Sequence, residues 1–181
     1  MAKTLTATDR KALIRLASTM AVGSPERKVI LAGLKKVSGE SNIFGKHILD
    51  NAHVSSNAIV KDKAQVLDNA HVSGFAWVSG KAEVGGNAYV LGDAKVSGNA
   101  KVLDNAKVLG DAYVLGDAIV KDKVQVYDDA VVYGKAEVSG NAWVYGKAVI
   151  GGTAVILGGK WNGSEGPIME GTWKSPTERI R

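Results

Sequence analysis

The chain has 181 residues, 45% of them apolar, with 22 Gly, 3 Pro and no cysteine. Lacking cysteine, it makes neither disulfides nor thiolate metal sites, and no stretch approaches the run of ~20 apolar residues that a membrane-spanning helix needs. The net charge of +5 lies wholly in residues 1–45, where eight Lys/Arg face three Asp/Glu, while residues 46–160 and 161–181 each balance to zero. A neutral middle region is not an electrostatic track for nucleic acid.

In chain order, residues 1–45 read as a small helical hairpin. Thr6 and Asp9 stand at capping-box spacing, and Leu13, Leu16, Ala17 and Met20 form an apolar stripe. Ser24-Pro25 opens a second helix whose apolar face is Ile30, Gly33, Leu34 and Val37, with Gly39 as its stop. Two short helices bury too little to stand alone. The segment is therefore expected to cap the remainder of the chain or to dock on a protein partner, with Arg10, Lys11, Arg15, Lys35 and Lys36 as its basic contact residues. The first twenty residues lack the apolar core and cleavage site of a secretory signal, so a cytoplasmic or virion-associated location is expected.

From Lys46 to about Gly158 a six-residue unit repeats eighteen times without insertion or deletion. Ala recurs every six residues from Ala52 to Ala154, with Val124 the one substitute, and Val or Ile stands two residues after each. Gly or Asp follows two further on, with Ser56 the one exception. Residues two apart share one side of an extended strand, so Ala and Val face inward and the residue between them faces out. Gly, Asn and Asp supply the corner, because they tolerate left-handed backbone angles. Three such units closing a triangle make a coil of 18 residues, and eighteen units make six coils, a prism about 30 Å long at ~4.8 Å per coil. The tail, residues 159–181, leaves the repeat and carries Trp161, Ile168, Met169 and Trp173, enough apolar surface to cap the last coil.

This pattern, as in Val96-Ser97-Gly98-Asn99-Ala100, resembles the hexapeptide-repeat superfamily. It departs from the usual form in carrying Gly two positions after the aliphatic residue instead of one. The resemblance implies an all-β fold, a left-handed parallel β-helix of about six 18-residue coils; the hand comes from the family, not from the period. The N-terminal segment is similar to leader-like helices on uncharacterised phage and bacterial proteins. Many members of the superfamily are trimeric acyltransferases with a catalytic His, which makes His53 and His71, each near a Ser, the weak catalytic candidates here. They are 18 residues apart, so they stack on one face. The carbonic anhydrase branch needs three His meeting between subunits, and His47 falls on a different face, so no metal and no cofactor is expected.

Sorting the outward residues by 18 gives three faces. One runs His53, His71, Tyr89, Lys107, Gln125, Trp143, flanked by Leu91, Leu109, Tyr127 and Tyr145. A second runs Ile59, Trp77, Lys95, Tyr113, Val131, Val149, flanked by Leu115 and Tyr133, and the third is more polar. Apolar, aromatic faces mark contact surfaces, so Tyr113, Tyr127, Tyr133, Trp143, Tyr145, Trp161 and Trp173 are the candidate interaction residues, with self-association as a trimer. The expected function is a non-enzymatic structural or interaction protein, a rigid spacer or scaffold such as a phage virion or accessory part. The alternatives are an acyltransferase-like enzyme using acetyl-CoA and a polymer-forming filament protein.

Overall fold

The computed structural model describes residues 47–180. The helical hairpin expected over 1–45, with Arg10, Lys11, Arg15, Lys35 and Lys36, lies outside the described residues.

Each hexad forms one two-residue strand and one corner. The strands run from β1 (His53–Val54) to β18 (Val155–Ile156), one every six residues. Every third strand is a ladder neighbour, in parallel, so His53 pairs with His71, Ile59 with Trp77, and Gln65 with Glu83. The result is a parallel β-solenoid with three sheets of seven, six and eight strands. We call them sheets 1, 2 and 3; they carry His53, Ile59 and Gln65 respectively. No helix occurs among the described residues.

The solenoid makes about seven turns against the six expected, because pairing runs past the strict hexads at both ends. Ile48 bridges to Val66 before the first full strand, and Ile168 bridges to Ile150 after the last. Strand β19 (Lys160–Trp161) continues sheet 1, and β20 (Thr172–Ser175) continues sheet 3, where β21 (Glu178–Ile180) folds back antiparallel as its last strand.

The core is as thin as the sequence requires. From Ala64 to Val144 every inward Ala and Val is 0% exposed. Each buried Val contributes about 1.5–3 kcal/mol by removal from water, and each coil touches only its neighbours, so stability accumulates coil by coil. Between coils the backbone pairs continuously; Lys101 N–H donates to Ala118 O and Leu103 N–H to Val120 O, both at 2.9 Å.

The corners explain the alternation of Gly and Asp. At most corners the inward N–H donates back across two residues, as Ala106 N–H does to Leu103 O at 3.1 Å, and at every corner from Asp62 to Gly152 the first residue of the turn has positive φ. Gly supplies this without strain, but Asp62, Asp68, Asp104, Asp122 and Asp128 adopt it too. Their carboxylates explain why. Asp122 Oδ2 accepts the Gly140 N–H of the next coil at 2.8 Å, Asp68 does the same for Gly86 at 2.8 Å, and Asp104 does so for Asp122 at 3.2 Å. The left-handed conformation costs a side chain about 1–2 kcal/mol, and an ionised acceptor on a backbone N–H offsets it. Substituting Asp122 therefore separates the two effects. Asp122→Gly is expected to lose only the hydrogen bond, and Asp122→Ala to lose the bond and keep the strain. The alanine variant should be about 1 kcal/mol less stable than the glycine variant in urea melts.

Candidate functional site

The three faces sort as the 18-residue period requires. His53 and His71 are adjacent rungs of sheet 1, with ring centroids 5.7 Å apart, and His71 stacks on Tyr89 at 5.1 Å with an interplanar angle of 7°. The Lys107 ammonium closes the other side of the Tyr89 ring at 5.8 Å from its centroid. His53 is exposed and His71 half-buried. Among the described residues neither imidazole hydrogen-bonds a serine or a carboxylate, so the nucleophile–base contact that would activate Ser55 or Ser73 is missing. His47 sits beside Ile48 at the edge of sheet 3, buried, its Nδ1 2.6 Å from Ala64 O, with Nδ1 as donor to that carbonyl. It does not meet the other two, and among the described residues no group of His, Asp or Glu forms a metal site.

The aromatic candidates fall into two situations. Tyr127 and Tyr145 stack along one corner of sheet 1 at 5.2 Å and 8°, and Trp143 meets Tyr127 edge-on at 6.5 Å and 74°. The Lys160 ammonium lies 4.9 Å over Trp143. On sheet 2, Lys95 Nζ donates to the Tyr113 hydroxyl at 3.4 Å. The Tyr133 ring packs against Gly151, where an added Cβ would collide with it, and its hydroxyl reaches Met169 Sδ at 3.5 Å. Rings stacked one coil apart cover each other's faces and turn their edges outward. Tyr89, Tyr127 and Tyr145 thus belong to ladders along the solenoid, although Phe75 remains 68%, Trp143 38% and Tyr89 37% exposed.

The tail corrects one contact candidate. Trp161 is 1% exposed: it occupies the inward position opposite Val144, its Nε1–H donates to Gly158 O at 2.8 Å, and its ring meets Trp173 edge-on at 6.0 Å. It closes the core and offers no surface. Trp173, on β20, is half-buried beneath the Arg179 guanidinium at 5.5 Å and donates from Nε1 to Glu170 O at 3.0 Å.

Among the described residues two side chains have shifted protonation. Burial pushes the Tyr127 phenol above its ordinary value, with the neighbouring Tyr145 and Asp128 adding to it. The hydrogen bond and charge of Glu137, 2.6 Å away, raise Lys121. For both groups the folded-state value lies above the unfolded one, so their contribution is complete below pH 10 and is lost as pH rises through the folded values. An ultraviolet titration should show one phenol ionising above the ordinary tyrosine range, and that late step should vanish in Tyr127→Phe.

One feature was not singled out from sequence. A shallow depression runs along the edge of sheet 1, lined by Asn87, Tyr89, Asn105, Lys107, Lys123 and Gln125. Tyr89, Lys107 and Gln125 belong to the outward column already sorted; Asn87, Asn105 and Lys123 form the corner column beside it, which the same 18-residue sorting would have shown.

The hexads and the parallel ladders they build define the chain's class: it is a parallel β-solenoid of six-residue repeats. No family model matches the sequence, and no curated protein matches it. Among solved structures it is similar to the acetyltransferase domain of PglB from Neisseria gonorrhoeae FA1090 in complex with acetyl coenzyme A, at 12% identity and a TM-score of 0.32, over 99% of this chain and 82% of that one. The class rests on the ladders themselves.

Proposed function

We propose that the protein is a non-enzymatic structural or interaction protein, a rigid solenoid that holds its two ends apart and associates through its faces, as a phage virion or accessory part would. The observation that carries this reading is the unbroken run of strands from His53 to Ile156, one per hexad, with no loop to wall off a pocket. An acyl-transfer site needs a nucleophile, a base and an enclosure, and the sheet 1 histidines are instead engaged in an open stack. Such a rod, winding left-handed in line with its family resemblance, would present its half-buried Leu91, Leu109, Tyr127 and Tyr145 column to sister subunits in a trimer. The basic N-terminal segment would serve as the plug for a protein partner.

Analytical ultracentrifugation at micromolar concentration tests the association. A trimer is the expected species, reduced to monomer by Leu109→Lys with Tyr127→Lys; a wild-type monomer would overturn the trimer. Acetyl-CoA binding that disappears in His53→Ala or His71→Ala would overturn the non-enzymatic reading.

A further inference from the structure

The depression on sheet 1 gathers uncharged and cationic polar side chains. Its lining supplies two ammonium groups, three carboxamides and one phenol, and no carboxylate. The nearest acids, Asp104 and Asp122, are turned along the corner and held by the backbone N–H groups of the next coil at 3.2 and 2.8 Å. Among the described residues Lys107 and Lys123 make no ion pair. The carboxamides of Asn87, Asn105 and Gln125 likewise have no hydrogen-bond partner there. The other corner amides are of both kinds: Asn51 donates to Asn69 at 3.3 Å and Asn99 to Asp117 at 2.6 Å, while those of Asn57 and Asn141 have no hydrogen-bond partner among the described residues.

The arrangement is also periodic. Asn87, Asn105 and Lys123 succeed one another at a coil's spacing, and so do Tyr89, Lys107 and Gln125. The depression is therefore a short open groove parallel to the axis, presenting polar groups every ~4.8 Å. A ligand that repeats at a similar distance meets several rungs at once. A pyranose unit is about as long as one rung. Carboxamides both donate and accept, which suits sugar hydroxyls, and ammonium groups suit carboxylates. Single-stranded nucleic acid also repeats and is anionic, but it needs open ring faces on which bases stack. Here the two sides of Tyr89 are covered by His71 and Lys107.

We propose that this groove binds a linear acidic polysaccharide, its chain along the solenoid axis and its carboxylates at Lys107 and Lys123. The inference deepens the reading of the protein as an interaction part, and it names the partner's chemistry.

Affinity electrophoresis of the full chain in gels containing polygalacturonate, with dextran as the neutral comparison, tests it. The expected result is retardation by polygalacturonate alone, at least tenfold weaker in Lys107→Gln/Lys123→Gln and unchanged in Lys135→Gln/Lys147→Gln. Asn105→Ala should weaken binding as well, while leaving its salt dependence as it was. Equal retardation of the wild type and the Lys107/Lys123 variant would overturn the proposal and assign binding to the basic N-terminal segment. So would equal retardation by dextran, or tighter binding of a single-stranded oligonucleotide competitor. Sedimentation of the same variants reports association separately, so the groove and the self-association can fail independently.

Discussion

Deleting residues 91–108, one whole coil, is expected to leave a cooperatively folded solenoid one turn shorter, while deleting Val96 alone should cost more than about 4 kcal/mol. The coil deletion joins Val90 to Leu109-Gly110, so each inward residue, corner and ladder partner is replaced by its equivalent. The loss is roughly one coil's share of a nearest-neighbour sum. Removing Val96 shortens one side of the triangle by a residue. The strand between Ala94 and the corner at Gly98 then slips, and a one-residue slip exchanges inward for outward side chains. The bonds from Lys95 N–H to Ala112 O and Ser97 N–H to Val114 O, each near 3 Å, lose their partners. A step of five residues does occur naturally, between Ile156 and Trp161, but only in the last turn, where the corner is Gly158-Gly159 and β16 (Trp143–Val144) meets β19 without a further full coil above it. Urea melts followed by far-ultraviolet circular dichroism would read both variants. A destabilised coil deletion beside a tolerant Val96 deletion would refute the nearest-neighbour account.

Removing a single hexad is the informative intermediate. It preserves the core but rotates everything beyond it by one face. The chain holds a natural version of this experiment: Ile59-Val60 of IVKDKAQV lies on sheet 2, while Ile119-Val120 of the near-copy IVKDKVQV lies on sheet 3. The hexad is thus interchangeable among faces as a core element, because all three sides of the triangle offer the same inward Ala and Val.

Gly98→Ala is expected to destabilise the protein by about 2–4 kcal/mol, against about 1 kcal/mol for Gly166→Ala and close to nothing for Gly85→Ala. All three remove a glycine, but only two have positive φ: Gly98 at 79° and Gly166 at 73°. At Gly98 the added methyl would also lie 2.6 Å from the Gly116 carbonyl oxygen of the next coil. Backbone cannot move aside there without opening the ladder, since Gly116 O accepts the Asn99 N–H at 2.7 Å. A methyl at Gly166 meets no atom within 4 Å, so only the conformational cost remains. At Gly85 φ is ordinary and the nearest atom is an Asp68 carboxylate oxygen at 3.4 Å, a normal contact. Equal losses at Gly98 and Gly166 would mean that conformation, not stacking distance, selects glycine at the corners.

The contrast between Gly98 and Asp122 shows where sequence reading reaches its limit. Both occupy the first corner position, and both were legible as residues that tolerate positive φ. That Asp122 is held by the N–H of Gly140 depends on a residue 18 positions away, and so on how closely two corners stack. The same holds for the aromatic columns. Their membership came from the period, but whether a ring offers its face or is covered depends on its neighbour one coil up, as His71 and Tyr89 show.

By itself the sequence determined the strands, the corners, the Ala and Val core and the three faces. These arise from a six-residue period acting through local geometry: alternation along a strand and left-handed tolerance at a turn. Tertiary structure alone decided the burial of Trp161, the capping role of the corner aspartates, the closing hairpin of β20 and β21, and the donor-lined groove beside Tyr89. All but the hairpin form between residues of different turns, where side-chain direction and the spacing of stacked backbones, not the local pattern, set what meets what; the hairpin lies in the tail, outside the six-residue pattern.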